Sequence, residues 1–189
     1  LVLRARDWMW IQESVHWNHL NYCVPRVSAV PNKFFLMLMN LKRSNRDNLF
    51  QEVGRYLESS TYSYVERGIL LPDDVYVSNQ FNLGNANDRL YVPDWYAQTC
   101  FSLVSETIFD YPYSFRTEKI YKPILMAHPF VVAANFGYLR DLRNAGFQTF
   151  DSIIDEKYDQ IDCPHARIKR IIETVRYLVK GGPEHFWEA

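Results

Sequence analysis

Thr117, Glu118 and Lys119 stand where an irregular stretch rich in Asp, Pro and Tyr gives way to a helical pattern, and that placement decides what chemistry they could do. Thr is a natural N-cap, and the first backbone N–H groups of a helix have no intrahelical partner. A cation beside such groups suits a phosphate or diphosphate, and a neighbouring carboxylate can accept hydrogen bonds from sugar or ribose hydroxyls. Two further sets of residues offer the same chemistry. Glu106 closes the apolar run Phe101–Val104 behind Ser105, and Lys42, Arg43 and Arg46 follow the apolar run Phe34–Met39. Both sets fall at strand C-termini, beside helix starts, where open α/β sheets bind their ligands. A capped helix with a solvated first turn, or a basic surface loop, has the same composition, because acidic residues favour any first turn and surface loops are commonly charged.

The elements that must position these residues follow from hydrophobic pattern. Cys100–Phe150 reads as strand, loop, helix, strand, helix, strand. Its apolar runs, Phe101–Val104 and Phe130–Ala134, lack polar alternation, as strands covered on both faces do. Between them Ile120, Ile124 and Leu125 face a sheet, and the helix must end before Pro129. Gly137–Asn144 forms a second short helix with Leu139 and Leu142 inward, stopped by Gly146, and Phe147–Phe150 reads as a further strand. Upstream, Phe34–Met39 is a buried strand followed by an amphipathic helix through Leu57, with Leu49, Phe50, Val53 and Leu57 on one face. Tyr62–Leu71 has no strong periodicity. Asp74–Ser78 reads as a strand, Asn79–Asp88 as a polar Gly-containing loop and Val92–Gln98 as a short helix. Asp155, Glu156 and Asp159 read as a solvated connector. His165–Leu178 closes the domain with the apolar stripe Ile168, Ile171, Ile172, Val175 and Leu178. The expected fold class is α/β: a Rossmann-like parallel sheet with flanking helices over residues 32–189, preceded by an aromatic arm, 1–31, containing Trp8, Trp10 and Trp17.

An apolar strand ending in Glu106, a loop containing Tyr113, Thr117-Glu118-Lys119 opening a helix and then a Pro-led apolar strand resemble, in that order, the donor-binding half of α-1,3-fucosyltransferase-like glycosyltransferases. The segments Gly137-Tyr138-Leu139, Leu142-Arg143 and Gly146–Phe150 are most similar to viral and bacterial fucosyltransferase-like proteins. The resemblance covers about the last two thirds of the chain. It implies the C-terminal half of a GT-B fold and a GDP-sugar donor surrounded by Glu106, Tyr113, Thr117, Glu118 and Lys119. An Arg after the first strand, here either Arg43 or Arg46, would contact the diphosphate. It further implies inverting transfer, with Lys119 and that Arg stabilising the departing diphosphate, and a carboxylate base drawn from the other, N-terminal domain; Glu13 is one of two carboxylates in the arm that could be named for it. The acceptor would be a glycan or glycoprotein, and the nucleotide-sugar is a substrate, so no cofactor is expected.

Composition narrows the classes. The chain has 189 residues, is 48% hydrophobic and 16% aromatic, and carries a formal net charge of −1 from 21 basic and 22 acidic residues, which argues against nucleic-acid or anionic-membrane partners. No run approaches the ~20 apolar residues of a membrane span. Leu1–Trp10, with Arg4, Arg6 and Asp7, is no signal peptide, and the absent initiator Met reads as a fragment. Cys23, Cys100 and Cys163 form no C-x-x-C pair and read as reduced thiols, hence a cytoplasmic setting. His16 and His19 lie three apart without further ligands, so no metal site is expected there. Asp-x-Asp, the motif through which GT-A enzymes hold a metal-bound diphosphate, occurs nowhere in the chain. An arm of about thirty residues is too short for an acceptor domain, which takes on the order of 100. Transfer is therefore expected to need a preceding domain or a second chain. The competing class is a non-catalytic glycosyltransferase-like module serving protein interaction, assembly or glycan binding.

Overall fold

The computed structural model describes residues 30–71 and 93–188. Glu13, His16, His19, the arm up to residue 29, the expected strand Asp74–Ser78 and the loop Asn79–Asp88 lie outside the described residues. Among the described residues four strands, β1 (Lys33–Met39), β2 (Thr61–Tyr64), β3 (Thr99–Ser105) and β4 (Phe130–Ala133), form one all-parallel sheet in the order β2-β1-β3-β4. Every residue of β3 and β4 is buried, the polar Thr99, Ser102 and Ser105 included, which is why neither strand alternates apolar residues with solvent-facing ones.

That order fixes where the helices go. The step from β1 to β2 runs one way across the sheet and the step from β3 to β4 the other, so right-handed crossovers put their helices on opposite faces. The chain obeys this. Helices α1 (Ser44–Glu52), α5 (Pro164–Leu178) and α6 (Gly182–Glu188) pack on the face bearing Phe35, Met37, Phe101 and Leu103. On the other face, α2 (Pro93–Ala97) and α3 (Glu118–Leu125) bring Trp95, Tyr96, Leu125 and Met126 onto Leu36 and Leu38. The short α4 (Tyr138–Asn144) follows β4. The strand order reverses between β1 and β3, and the crevice at their carboxyl ends is the place such a sheet leaves for a ligand.

Four expectations need correction. The helix expected to run through Leu57 ends at Glu52, and Gly54–Ser59 continues as a 3-10 turn; Leu49, Val53 and Leu57 are still buried together. The start of Tyr62–Leu71 belongs to β2, which begins at Thr61 and whose buried side chains include Thr61 and Ser63, so no apolar signal marks it. Phe147–Phe150 is not a strand. Its Phe150 N–H donates to Glu156 Oε1 (2.9 Å) and its Phe150 ring packs edge-on against Phe130, while the outward Val132 N–H of β4 donates to the Tyr158 hydroxyl (3.3 Å). The ladder position a fifth strand would need is therefore taken. Finally, Glu156 and Asp159 are buried rather than solvated. Glu156 pairs with Arg143 (2.7 Å), and Asp159 accepts from the backbone N–H groups of Leu139 (2.8 Å) and Arg140 (3.0 Å), filling the N-terminus of α4. Both carboxylates serve helix and loop ends far away in sequence.

Candidate functional site

The loop after β1 and the segment after β3 meet over the β1/β3 crevice, and between them Arg46 forms its floor. This guanidinium is 2% exposed and donates to the carbonyls of Leu41 (2.9 Å), Ser105 (3.3 Å) and Glu106 (3.4 Å), tying the two strand ends together. Of the two arginines left open by the sequence, Arg46 is thus built into the structure. Arg43, exposed at the N-cap of α1, is the one that faces a cavity.

That cavity is an open cleft of about 600 Å³ on the α1/α5 side. Arg43, Ser44, Asn45 and Asn48 line it from α1, Thr107–Tyr111 from the segment after β3, and Pro164, His165 and Ile168 from α5. Two helix N-termini therefore open into one space. Neither N-cap residue, Arg43 for α1 or Cys163 for α5, makes a side-chain capping bond; among the described residues this leaves the first-turn N–H groups of α1, and those that follow the N–H-less Pro164 in α5, without a side-chain cap. The Asn45 Nδ2 atom is buried without a hydrogen-bond partner. The Arg43 guanidinium, this amide and the first-turn N–H groups are the donors of the cleft, and Asp110 brings a carboxylate to its opposite wall; the donor side suits an oxygen-rich anion.

The N-terminus of α3 is different. Thr117 is the N-cap, as its residue type predicts, and its hydroxyl accepts from the Lys119 N–H (3.3 Å). Glu118 and Lys119 form an ion pair with each other. Lys119 lines a separate, smaller pocket of about 50 Å³, together with Ser105, Lys122 and Tyr96, on the opposite face from the cleft. Ser105, 1% exposed, has an unpartnered Oγ there. The structure thus sets Arg43 and residues 107–111 around one cleft and Lys119 on another pocket, beside Thr117.

Glu106 is fully buried, and four donors surround its carboxylate: Thr117 N–H (3.1 Å) and Tyr138 hydroxyl (2.8 Å) on Oε1, Thr117 hydroxyl (2.6 Å) and Thr107 N–H (3.3 Å) on Oε2. Burial pushes the Glu106 carboxyl up, against the opposing effects of Lys119, Thr117 and Tyr138. Since a carboxylate has about four lone-pair sites, none remains for a ligand hydroxyl. Tyr113, by contrast, is 46% exposed and packs edge-on against Tyr111 at a centroid distance of 4.7 Å; Tyr111, 47% exposed, belongs to the cleft wall.

The sequence reading missed Arg167. Fully buried, it donates to the carbonyls of Ala134 (3.0 Å), Ile161 (2.8 Å), Asp162 (2.7 Å) and Phe109 (2.6 Å), and it lies 4.7 Å from the Phe109 ring centroid. An Arg in the first turn of an apolar-striped helix was the available signal. Its carbonyl partners are tertiary neighbours that no spacing reveals.

Among the described residues, no group of three or more His, Cys, Asp or Glu side chains could hold a metal ion, and no helix is long and apolar enough to cross a membrane. Comparison with protein-family models, curated proteins and solved structures gave no match for this chain.

Proposed function

We propose that the chain binds a nucleotide-sugar across the carboxyl edge of its sheet, as the donor half of a fucosyltransferase-like, metal-independent inverting glycosyltransferase. One observation carries the reading: the open cleft lies at the strand-order reversal, two uncapped helix N-termini open into it, and Arg43 and the Asn45 amide stand beside them. Diphosphate oxygens would satisfy those donors. In transfer, the acceptor hydroxyl oxygen attacks the anomeric carbon, its proton passes to a base, and the bond to the diphosphate oxygen breaks. Arg43 and the helix N-termini would stabilise the charge that develops on the leaving diphosphate. The GDP identity, the glycan acceptor and the base belong to the resemblance described above, and the cleft is neutral on all three.

The non-catalytic reading has one observation in its favour. Glu106 and Lys119, which the resemblance sets around the donor, are engaged by Thr117, Tyr138 and Glu118 within the fold.

Titration calorimetry with GDP, UDP, ADP and their sugars tests the proposal. Arg43→Ala should weaken nucleoside diphosphate binding by about 1.5–3 kcal/mol, the range for a hydrogen bond to a charged group, and Lys119→Ala by less. Equal affinity of Arg43→Ala and wild type would remove the diphosphate from the cleft.

A further inference from the structure

We propose that Tyr138 is a positioning residue for the cleft: acting through Glu106, it holds the segment after β3 in the shape that forms one wall. The proposal rests on reading the cleft as the nucleotide-sugar site. Its basis is a single buried carboxylate that fastens both ends of one loop. Glu106 accepts from Thr107 N–H at the loop's start and from the N–H and hydroxyl of Thr117 at its end. The fourth donor comes from outside the loop. It is the Tyr138 hydroxyl in the first turn of α4, 2.8 Å from Oε1, on a side chain that is itself 1% exposed.

The rest of the loop is pinned on either side of its tip. Ser114 Oγ donates to Asp141 Oδ2 (2.6 Å) from the same helix as Tyr138, and Phe109 O accepts from Arg167. Between these pins Asp110 and Tyr111 are exposed and line the cleft. Asn135 Nδ2 also donates to Ser114 Oγ (3.4 Å) and Arg116 to Asp141 O (3.5 Å), so the loop's shape is set by ties along its length, and a pre-shaped wall spares the ligand the cost of ordering it. With all four lone-pair sites filled, Glu106 offers the ligand no hydrogen bond, and it shapes the cleft wall through this loop. Tyr138 is the informative residue, because its hydroxyl reaches the carboxylate and leaves the loop's own sequence unaltered.

The test is Tyr138→Phe, which keeps the ring in its packing site and deletes one donor, with Glu106→Gln as the second variant. Two quantities are read: the affinity for a nucleoside diphosphate, and amide hydrogen exchange resolved along the chain. The expected result for Tyr138→Phe is an affinity about tenfold lower, as loss of one hydrogen bond to a carboxylate implies, with faster exchange confined to residues 107–117. Glu106→Gln should weaken affinity by more and accelerate the same amides. Unchanged affinity in a folded Tyr138→Phe protein would overturn the proposal, and so would faster exchange spread evenly over the domain, which marks a merely structural role. If the wild type binds no nucleoside diphosphate, the cleft assignment fails instead, and the exchange pattern alone still decides whether Tyr138 holds the loop.

Discussion

Three arginines of similar sequence context end in three different roles, and burial separates them. Arg43 is exposed on the cleft, Arg46 joins the ends of β1 and β3, and Arg167 gathers four carbonyls from three places in the fold. Residue type could say only that cations stand near strand ends. Which of Arg43 and Arg46 faces the cleft depends on where the guanidinium reaches, and that is settled by the carbonyls of Ser105 and Glu106, far along the chain. For Arg167 the consequence is a stability effect. Arg167→Met fills similar volume but leaves buried carbonyls without donors, each costing about 1–3 kcal/mol. A denaturant midpoint should show a loss of at least about 3 kcal/mol, and a near-neutral result would mean water takes over those carbonyls.

At the scale of elements, pattern served best where burial is two-sided or periodic. β1, β3, β4 and the stripe of α5 were legible because their apolar residues have no other use. β2 was not, since its Thr61 and Ser63 are buried at the sheet's edge with their hydroxyls. Phe147–Phe150 failed in the opposite sense: its aromatic ends pack on Tyr121 and Phe130 without pairing as a strand. The helix N-termini show the same limit, because a cap such as Thr117 is local and readable, while Asp159 reaches α4 from a later turn. Another buried group links β3 to the turn before β4. His128 lies between Ser102 Oγ (2.9 Å from Nδ1) and Thr99 O (2.8 Å from Nε2), and burial lowers it to about 4. The unfolded chain takes up that proton near pH 6.5 and the folded one only near 4, so His128 costs stability as pH falls across that window, by about 3 kcal/mol in all. Burial of Glu106 acts in the other direction, its contribution falling as pH rises. Comparing wild type with His128→Gln isolates the histidine: the two stability curves should converge as pH drops from 6.5 to 4, and parallel curves would contradict the assignment.

At the scale of the whole molecule the helix N-termini divide into two kinds. Two helix N-termini, those of α3 and α4, are filled by the protein's own Thr117 and Asp159, and two, those of α1 and α5, open without caps into a cleft large enough for a nucleotide-sugar. The parallel sheet and its reversal point were foreseeable in outline from alternating apolar runs and helical stripes. That Arg43 and Lys119 line different pockets was not, because it depends on tertiary neighbours that no spacing reveals. The most direct measurement is amide chemical-shift mapping of the chain titrated with a nucleoside diphosphate. The account predicts the largest saturable shifts at Ser44, Asn45, Asn48, Thr107 and His165. Shifts confined to Lys119–Lys122, or none at millimolar ligand, would contradict it.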